Sequence, residues 1–141
     1  MDRWTVEAVA DRRGLTAFLR FPETLYRGDP CWVPPLRRDE RARLSPSNPF
    51  FAHAEAQLFL ARRGREVVGR VAAVLDRWHL ERWEDGAGFF GFFESVADEA
   101  VAGELFAAVR QWLRKKGLVS MRGPFNPSTN DMCGILTAGF E

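Results

Sequence analysis

The sharpest hydrophobic pattern in the chain lies between Val101 and Leu113. Val101, Leu105, Phe106, Val109, Trp112 and Leu113 recur at helical spacing with polar residues between them. This predicts a helix from Val101 to Lys116 with one buried stripe. Asp98 is placed to cap it, and Glu99 suits its positive end. Arg114, Lys115 and Lys116 suit its negative end, and Gly117 stands at its stop.

Elsewhere the period drops to two. Trp4 to Val9 alternates and predicts a first strand. Glu55 to Arg62 alternates, Arg63-Gly64-Arg65-Glu66 has hairpin-turn length, and Val67 to Leu75 is apolar on nearly both faces. Gly88-Phe89-Phe90-Gly91-Phe92-Phe93-Glu94 reads as a central strand covered on both sides. Strict alternation puts Phe89, Gly91 and Phe93 on one face, with Phe90 and Phe92 on the other. Gly91 leaves a gap where a bulge, a ligand or another backbone fits. Leu118 to Met121 is a short last strand, ended by Arg122-Gly123-Pro124.

Between these elements the pattern is less regular. Asp11 caps a helix through about Arg20, which Pro22 interrupts. A further turn with Leu25 and Tyr26 ends at Gly28-Asp29-Pro30. Cys31 to Leu36 is extended and anchored by Trp32, and Pro35 opens a short charged helix to about Leu44. Ser45 to Pro49 is a loop, Phe50-Phe51 a hydrophobic plug, and Asp76 to Asp85 an irregular or helical excursion. The order β-α-(α)-β-β-β-α-β predicts an α/β (α+β) fold, with a mixed sheet and helices on both faces.

Composition narrows the function classes. A chain of 141 residues reads as one domain, 1-141, large enough for a core. Net charge of +1 gives no global attraction to nucleic acid, and the basic clusters suit solvated turns and helix ends. Cys31 and Cys133 have no metal-site spacing, so no metal is expected, and free thiols suit a cytoplasmic setting. The start has no signal-peptide pattern, and no apolar run approaches the ~20 residues of a membrane span.

The order of elements resembles the GNAT acyltransferase fold. Glu66-Val67-Val68-Gly69-Arg70-Val71-Ala72-Ala73-Val74 looks like its third strand, Gly88 to Glu94 its fourth, and Val101 to Lys116 its cofactor-side helix. A narrower resemblance is to the YghO-like and bacterial ceramide synthase-like branch. It is carried by Phe21-Pro22, Leu25-Tyr26-Arg27-Gly28-Asp29-Pro30 and Trp32-Val33-Pro34-Pro35-Leu36. Asn48-Pro49-Phe50-Phe51, the Phe-rich strand, and Arg122-Gly123-Pro124-Phe125-Asn126-Pro127-Ser128-Thr129-Asn130-Asp131 carry it further. Members of that branch are longer. The resemblance therefore implies a partial GNAT sheet lacking its last strands, with an edge at Leu118 to Met121 for a missing half or a second copy to cover.

It also implies a chemistry: transfer of an acyl group from acyl-CoA, acetyl-CoA or another thioester to a small-molecule amine. Glu94 would be the general base, and the backbone of Phe92 and Phe93 beside Glu94 would meet the pantetheine arm. From the residues themselves, Glu94 also reads as a helix cap or an arginine partner. His79 titrates near neutrality and is a second catalytic candidate, or else a surface histidine flanked by Trp78 and Trp83. Asn126, Ser128, Thr129, Asn130 and Asp131 form the densest polar cluster and could hold substrate. Alternatively, Ser128 or Thr129 caps a short helix through Leu136. The aromatic residues belong mostly to the core, although a greasy cleft would suit a long acyl chain, and peripheral lipid contact is open.

One stretch departs from the family. After Glu94 the chain reads Ser95-Val96-Ala97-Asp98-Glu99, with no glycine pair and two carboxylates where a pyrophosphate would dock. The rival expectations are a non-catalytic GNAT-like half that completes a partner, and a small-molecule binding module.

Overall fold

The computed structural model describes residues 4–139. A five-stranded sheet runs in the order β1 (Trp4–Ala8), β2 (Ala54–Arg63), β3 (Glu66–Asp76), β4 (Ala87–Ser95), β5 (Ser120–Arg122). The first four strands are antiparallel neighbours, and β5 lies parallel to β4. The helices are α1 (Arg12–Leu25), α2 (Arg37–Arg43), α3 (Arg77–Trp83) and α4 (Glu99–Lys115). A two-stranded ribbon, β6 (Phe125–Asn126) with β7 (Met132–Cys133), follows the sheet.

Both faces of the sheet are covered. Val101, Leu105, Val109 and Leu113 of α4 pack with Phe59, Ala61, Val68, Val71, Ala73 and Leu75. On the other face Phe18 of α1 packs with Leu60, Ala72 and Phe92. Each of the Val, Leu and Phe side chains contributes about 1.5–3 kcal/mol when taken fully out of water. The helical stripe on α4 and the doubly apolar β3 are therefore the source of the layered order. Asp98 caps α4 by accepting from the Ala100 N–H at 3.0 Å.

Three local features differ from the sequence reading. First, α1 does not stop at Pro22 but continues to Leu25. Proline removes the N–H that would bond the carbonyl four residues back, that of Phe18. The buried Arg70 of β3 supplies the missing donor, its Nη1 lying 2.9 Å from the Phe18 oxygen. Second, β4 does not alternate strictly. Ala72 pairs with Gly91 and Arg70 with Glu94, so β4 carries one extra residue and bulges there. Phe92 sits at φ +52°, in the left-handed region. Phe93 therefore joins Phe90 on the α4 face, where both contact Phe106, and Phe92 joins the Phe18 face. Third, residues 128–136 form a turn and β7 rather than a helix. Ser128 Oγ accepts from the Asn130 N–H and donates to Asp131, and these local bonds close a turn.

Candidate functional site

The bulge decides where the carboxylate of β4 points. It places Glu94 on the α1 face, opposite Arg70, although Phe92 and Phe93 intervene after Gly91. The continuation of α1 past Pro22 brings Tyr26, its C-cap residue, over the same spot. The Tyr26 hydroxyl donates to Glu94 Oε2 across 68 positions of sequence. Tyr26 also packs against Trp32, with ring centroids 5.2 Å apart. Glu94, Tyr26, Arg70, Trp32, Phe92 and Asn126 line a cavity of about 510 Å³. Its far wall is the segment after β6, including Met132, Ile135 and Leu136.

The electrostatics of this cavity follow from partial burial. Desolvation pushes the Glu94 carboxyl above its ordinary value of 4.5. The Tyr26 hydrogen bond and the Arg70 charge pull it back down, and Glu40 adds a smaller upward push. Burial raises Tyr26 well above the usual phenol range, helped by its bond to Glu94, so it stays a donor. Arg70 is lowered by burial to about 10, with Glu94, Glu40 and Tyr26 acting the other way, and is still a cation at neutral pH. Its guanidinium lies 4.9 Å from the Phe18 ring centroid and 5.9 Å from that of Phe92. Only 5% of Arg70 is exposed, and its Nε has no hydrogen-bond partner among the described residues.

The strands part beside this cavity. β4 and β5 pair only from Ala87–Ser120 to Phe89–Arg122. Beyond that, Asn126 Oδ1 accepts from the Phe92 N–H at 2.7 Å, so a side chain takes the place of a strand neighbour. Gly91 faces this segment. A Cβ there would sit inside the van der Waals shell of the Phe125 carbonyl oxygen, 2.7 Å from the carbonyl carbon and 3.0 Å from Asn126 Oδ1. The gap left by Gly91 is thus filled by another stretch of backbone.

The sequence candidates divide between two places. Glu94, Phe92, Phe93 and Asn126 line the cavity just described. His79, Ser128, Thr129 and Asn130 line a second one of about 460 Å³, together with His53 and Trp78. There His79 Nε2 lies 3.1 Å from Asp85, His53 Nδ1 lies 2.8 Å from Asp76, and Arg122 is 2.9 Å from Asp85. Asp131 lines neither cavity and bonds to Ser128. Among the described residues, no group of three His, Cys, Asp or Glu is arranged to hold a metal.

Tyr26 and Arg70 escaped the sequence reading as members of the site. A signal existed for Arg70, because a lone arginine inside a strand apolar on both faces must find buried partners. Tyr26 had no comparable signal, since its approach to Glu94 depends on α1 passing through a proline.

The helix end after β4 does not fit a pyrophosphate. The Ala100 N–H at the start of α4 is taken by Asp98 Oδ1, and Glu99 occupies its first turn. Asp98 Oδ2 in turn lies 3.5 Å from Arg63 Nη2. A second anion would meet two carboxylates there, one of them already on a donor of the first turn.

No family model matches the chain. Protein YghO of Escherichia coli (strain K12) is 35% identical over 136 residues, covering 96% of this chain and 35% of that protein. Bacterial ceramide synthase of Caulobacter vibrioides (strain NA1000 / CB15N) is 42% identical over 129 residues, covering 90% of this chain and 34% of that protein. The chain spans about a third of the length of these curated relatives. Among solved structures, a tandem GNAT protein from the clavulanic acid biosynthesis pathway superposes with TM-score 0.61 at 16% identity, over 92% of this chain and 40% of that one. An aminoglycoside acetyltransferase from an uncultured soil metagenomic sample, in complex with sisomicin, gives TM-score 0.58 at 14% identity, over 84% and 75%. At those identities the likeness is one of fold. The chain therefore has the mixed α/β fold of the GNAT acetyltransferases, and over nearly its whole length its sequence is similar to part of YghO and of bacterial ceramide synthase.

Proposed function

We propose that the chain supplies the acyl-acceptor site of an N-acyltransferase, within a GNAT-like unit spanning 1–141. The observation that carries this reading is the Glu94–Tyr26 pair, half-buried in a cavity at the carboxyl end of β4. An amine enters as an ammonium and must lose a proton before it can attack a thioester carbonyl. A carboxylate raised by burial is a better base than a free one. Tyr26 fixes its orientation and Arg70 keeps its charged form accessible. Tyr26 acts through Glu94 and is a positioning residue. Asn126 bridges to β4 beside the site. Support for the acceptor class comes from the fold and from the sisomicin complex of the aminoglycoside acetyltransferase. His79 has no part in this assignment.

The donor is an acyl thioester. The carboxylates at the start of α4 offer a nucleotide pyrophosphate nothing, so an acyl-pantetheine should serve about as well as the matching acyl-CoA. The test is acyl transfer to an amine, followed by release of free thiol, for this chain and its Glu94→Gln variant. Wild type should show a rate that rises with pH through an apparent pKa above 4.5, and the variant should lose that limb. Equal rates and equal pH profiles would sink the reading.

A second reading is a non-catalytic half that completes a partner. It is favoured by the edge of β5, which has no second strand beside it among the described residues, and by Val119, 83% exposed next to it. It predicts self-association of the isolated chain by light scattering and no transfer activity under any donor.

A further inference from the structure

Arg70 has more hydrogen-bonding capacity than the fold uses. Its Nη1 serves the Phe18 carbonyl, while its buried Nε has no partner. Native interiors seldom leave a buried donor unmatched, and a charged one least of all. Arg70 and Glu94 are cross-strand partners, yet they form no salt bridge within 4.0 Å among the described residues. Both line the same cavity. Two opposite charges therefore face one space without closing on each other. The rest of the wall is mixed: Trp32, Phe92, Ile135 and Leu136 are apolar, and Tyr26, Asp29 and Asn126 are polar.

We infer that the acceptor is a zwitterion with an apolar side chain, an α-amino acid or a close analogue, whose ammonium meets Glu94 and whose carboxylate meets the Arg70 guanidinium. This deepens the acyl-acceptor reading and rests on it. A guanidinium suits a carboxylate because its donors diverge in one plane and match two oxygens. The aromatic and aliphatic part of the wall suits a side chain such as that of leucine. A simple amine would leave the Arg70 charge at the cavity wall without a counter-ion, and a simple acid would bring Glu94 no cation.

The experiment is isothermal titration of the chain with three probes: leucine, 3-methylbutylamine, which lacks the carboxylate, and 4-methylpentanoate, which lacks the amine. Leucine should bind at least about ten-fold tighter than either. Arg70→Gln, made in a Pro22→Ala background so that residue 22 can satisfy the Phe18 carbonyl, should abolish the preference for leucine over the amine. The inference is overturned if 3-methylbutylamine binds as tightly as leucine, if leucine does not bind by ~10 mM, or if the preference survives loss of Arg70. Acylation of simple amines with an intact Glu94 pH limb would keep the acyltransferase reading while this inference failed. Absence of transfer to any amine would remove both.

Discussion

Replacing Arg70 by methionine leaves the carbonyl of Phe18 opposite the ring of Pro22 with no donor. The guanidinium now supplies that bond at 2.9 Å from within the core. A buried carbonyl left unmatched costs about 1–3 kcal/mol. Methionine keeps much of the apolar stem between Phe18 and Phe92, so the packing loss is small beside this. The cost should vanish in a Pro22→Ala background, where residue 22 regains an N–H four positions after Phe18. Arg70→Met also deprives Glu94 of a neighbouring cation, but that loss is common to both backgrounds. The quantity to measure is thus a coupling energy of about 1–3 kcal/mol. Urea unfolding of the four proteins, followed by far-ultraviolet circular dichroism, gives it directly. Distant independent sites add to within ~0.5 kcal/mol. A coupling smaller than that would mean that Arg70 is not the donor that carries α1 past Pro22.

Two glycine substitutions should move in opposite directions. Gly91→Ala forces Phe125 away and strains the Asn126–Phe92 bond, costing about 2–4 kcal/mol, whereas Gly103→Ala in α4, with open space around it, should gain about 0.5–1 kcal/mol; urea midpoints that shift alike would refute the close approach at Gly91. Tyr26→Phe removes a donor to the ionised carboxylate, so the rising limb of the pH–rate profile should move to higher pH, and a limb that stays or moves down contradicts the pair. Glu94 binds its proton more tightly folded than unfolded, so its contribution to stability is complete below the unfolded value of about 4.3 and is lost as pH rises through the folded one. Glu94→Gln lacks that loss. Its stability relative to wild type should therefore improve from pH 4 to pH 7, and a flat or falling difference in urea unfolding would count against the raised carboxyl.

What the residues alone made legible was whatever repeats. The stripe of Val101, Leu105, Val109 and Leu113 and the β2–β3 hairpin carry their own period, and the structure follows it. What could not be read depends on partners distant in sequence. The rule that proline ends a helix is local, and Arg70 overrides it from 52 positions beyond Phe18. Alternation assigns Phe92 and Phe93 to faces only while each step is paired, and the bulge adds a step that composition does not mark. The position of Glu94 was readable because it ends a strand, but its partner Tyr26 was not. The segment from Asn126 to Asp131 looked like one polar group. Its turn sends Asn126 to one cavity and Ser128, Thr129 and Asn130 to another.

Phe92 has a further consequence as a supernumerary residue. Gly91 and Glu94 already hold the spacing to Ala72 and Arg70 that a straight strand would need if one phenylalanine between them were missing. A chain with Phe92 deleted could close that ladder in register, at the loss of the N–H that Asn126 accepts. Phe93 would still reach α4, and Glu94 would still face Arg70. What would disappear is an aromatic lid from the α1 layer, leaving the guanidinium with Phe18 on one side and open cavity on the other. The insertion is therefore separable from the framework: single-residue gain or loss at this point would tune the shape and polarity of the cavity while the sheet keeps its register.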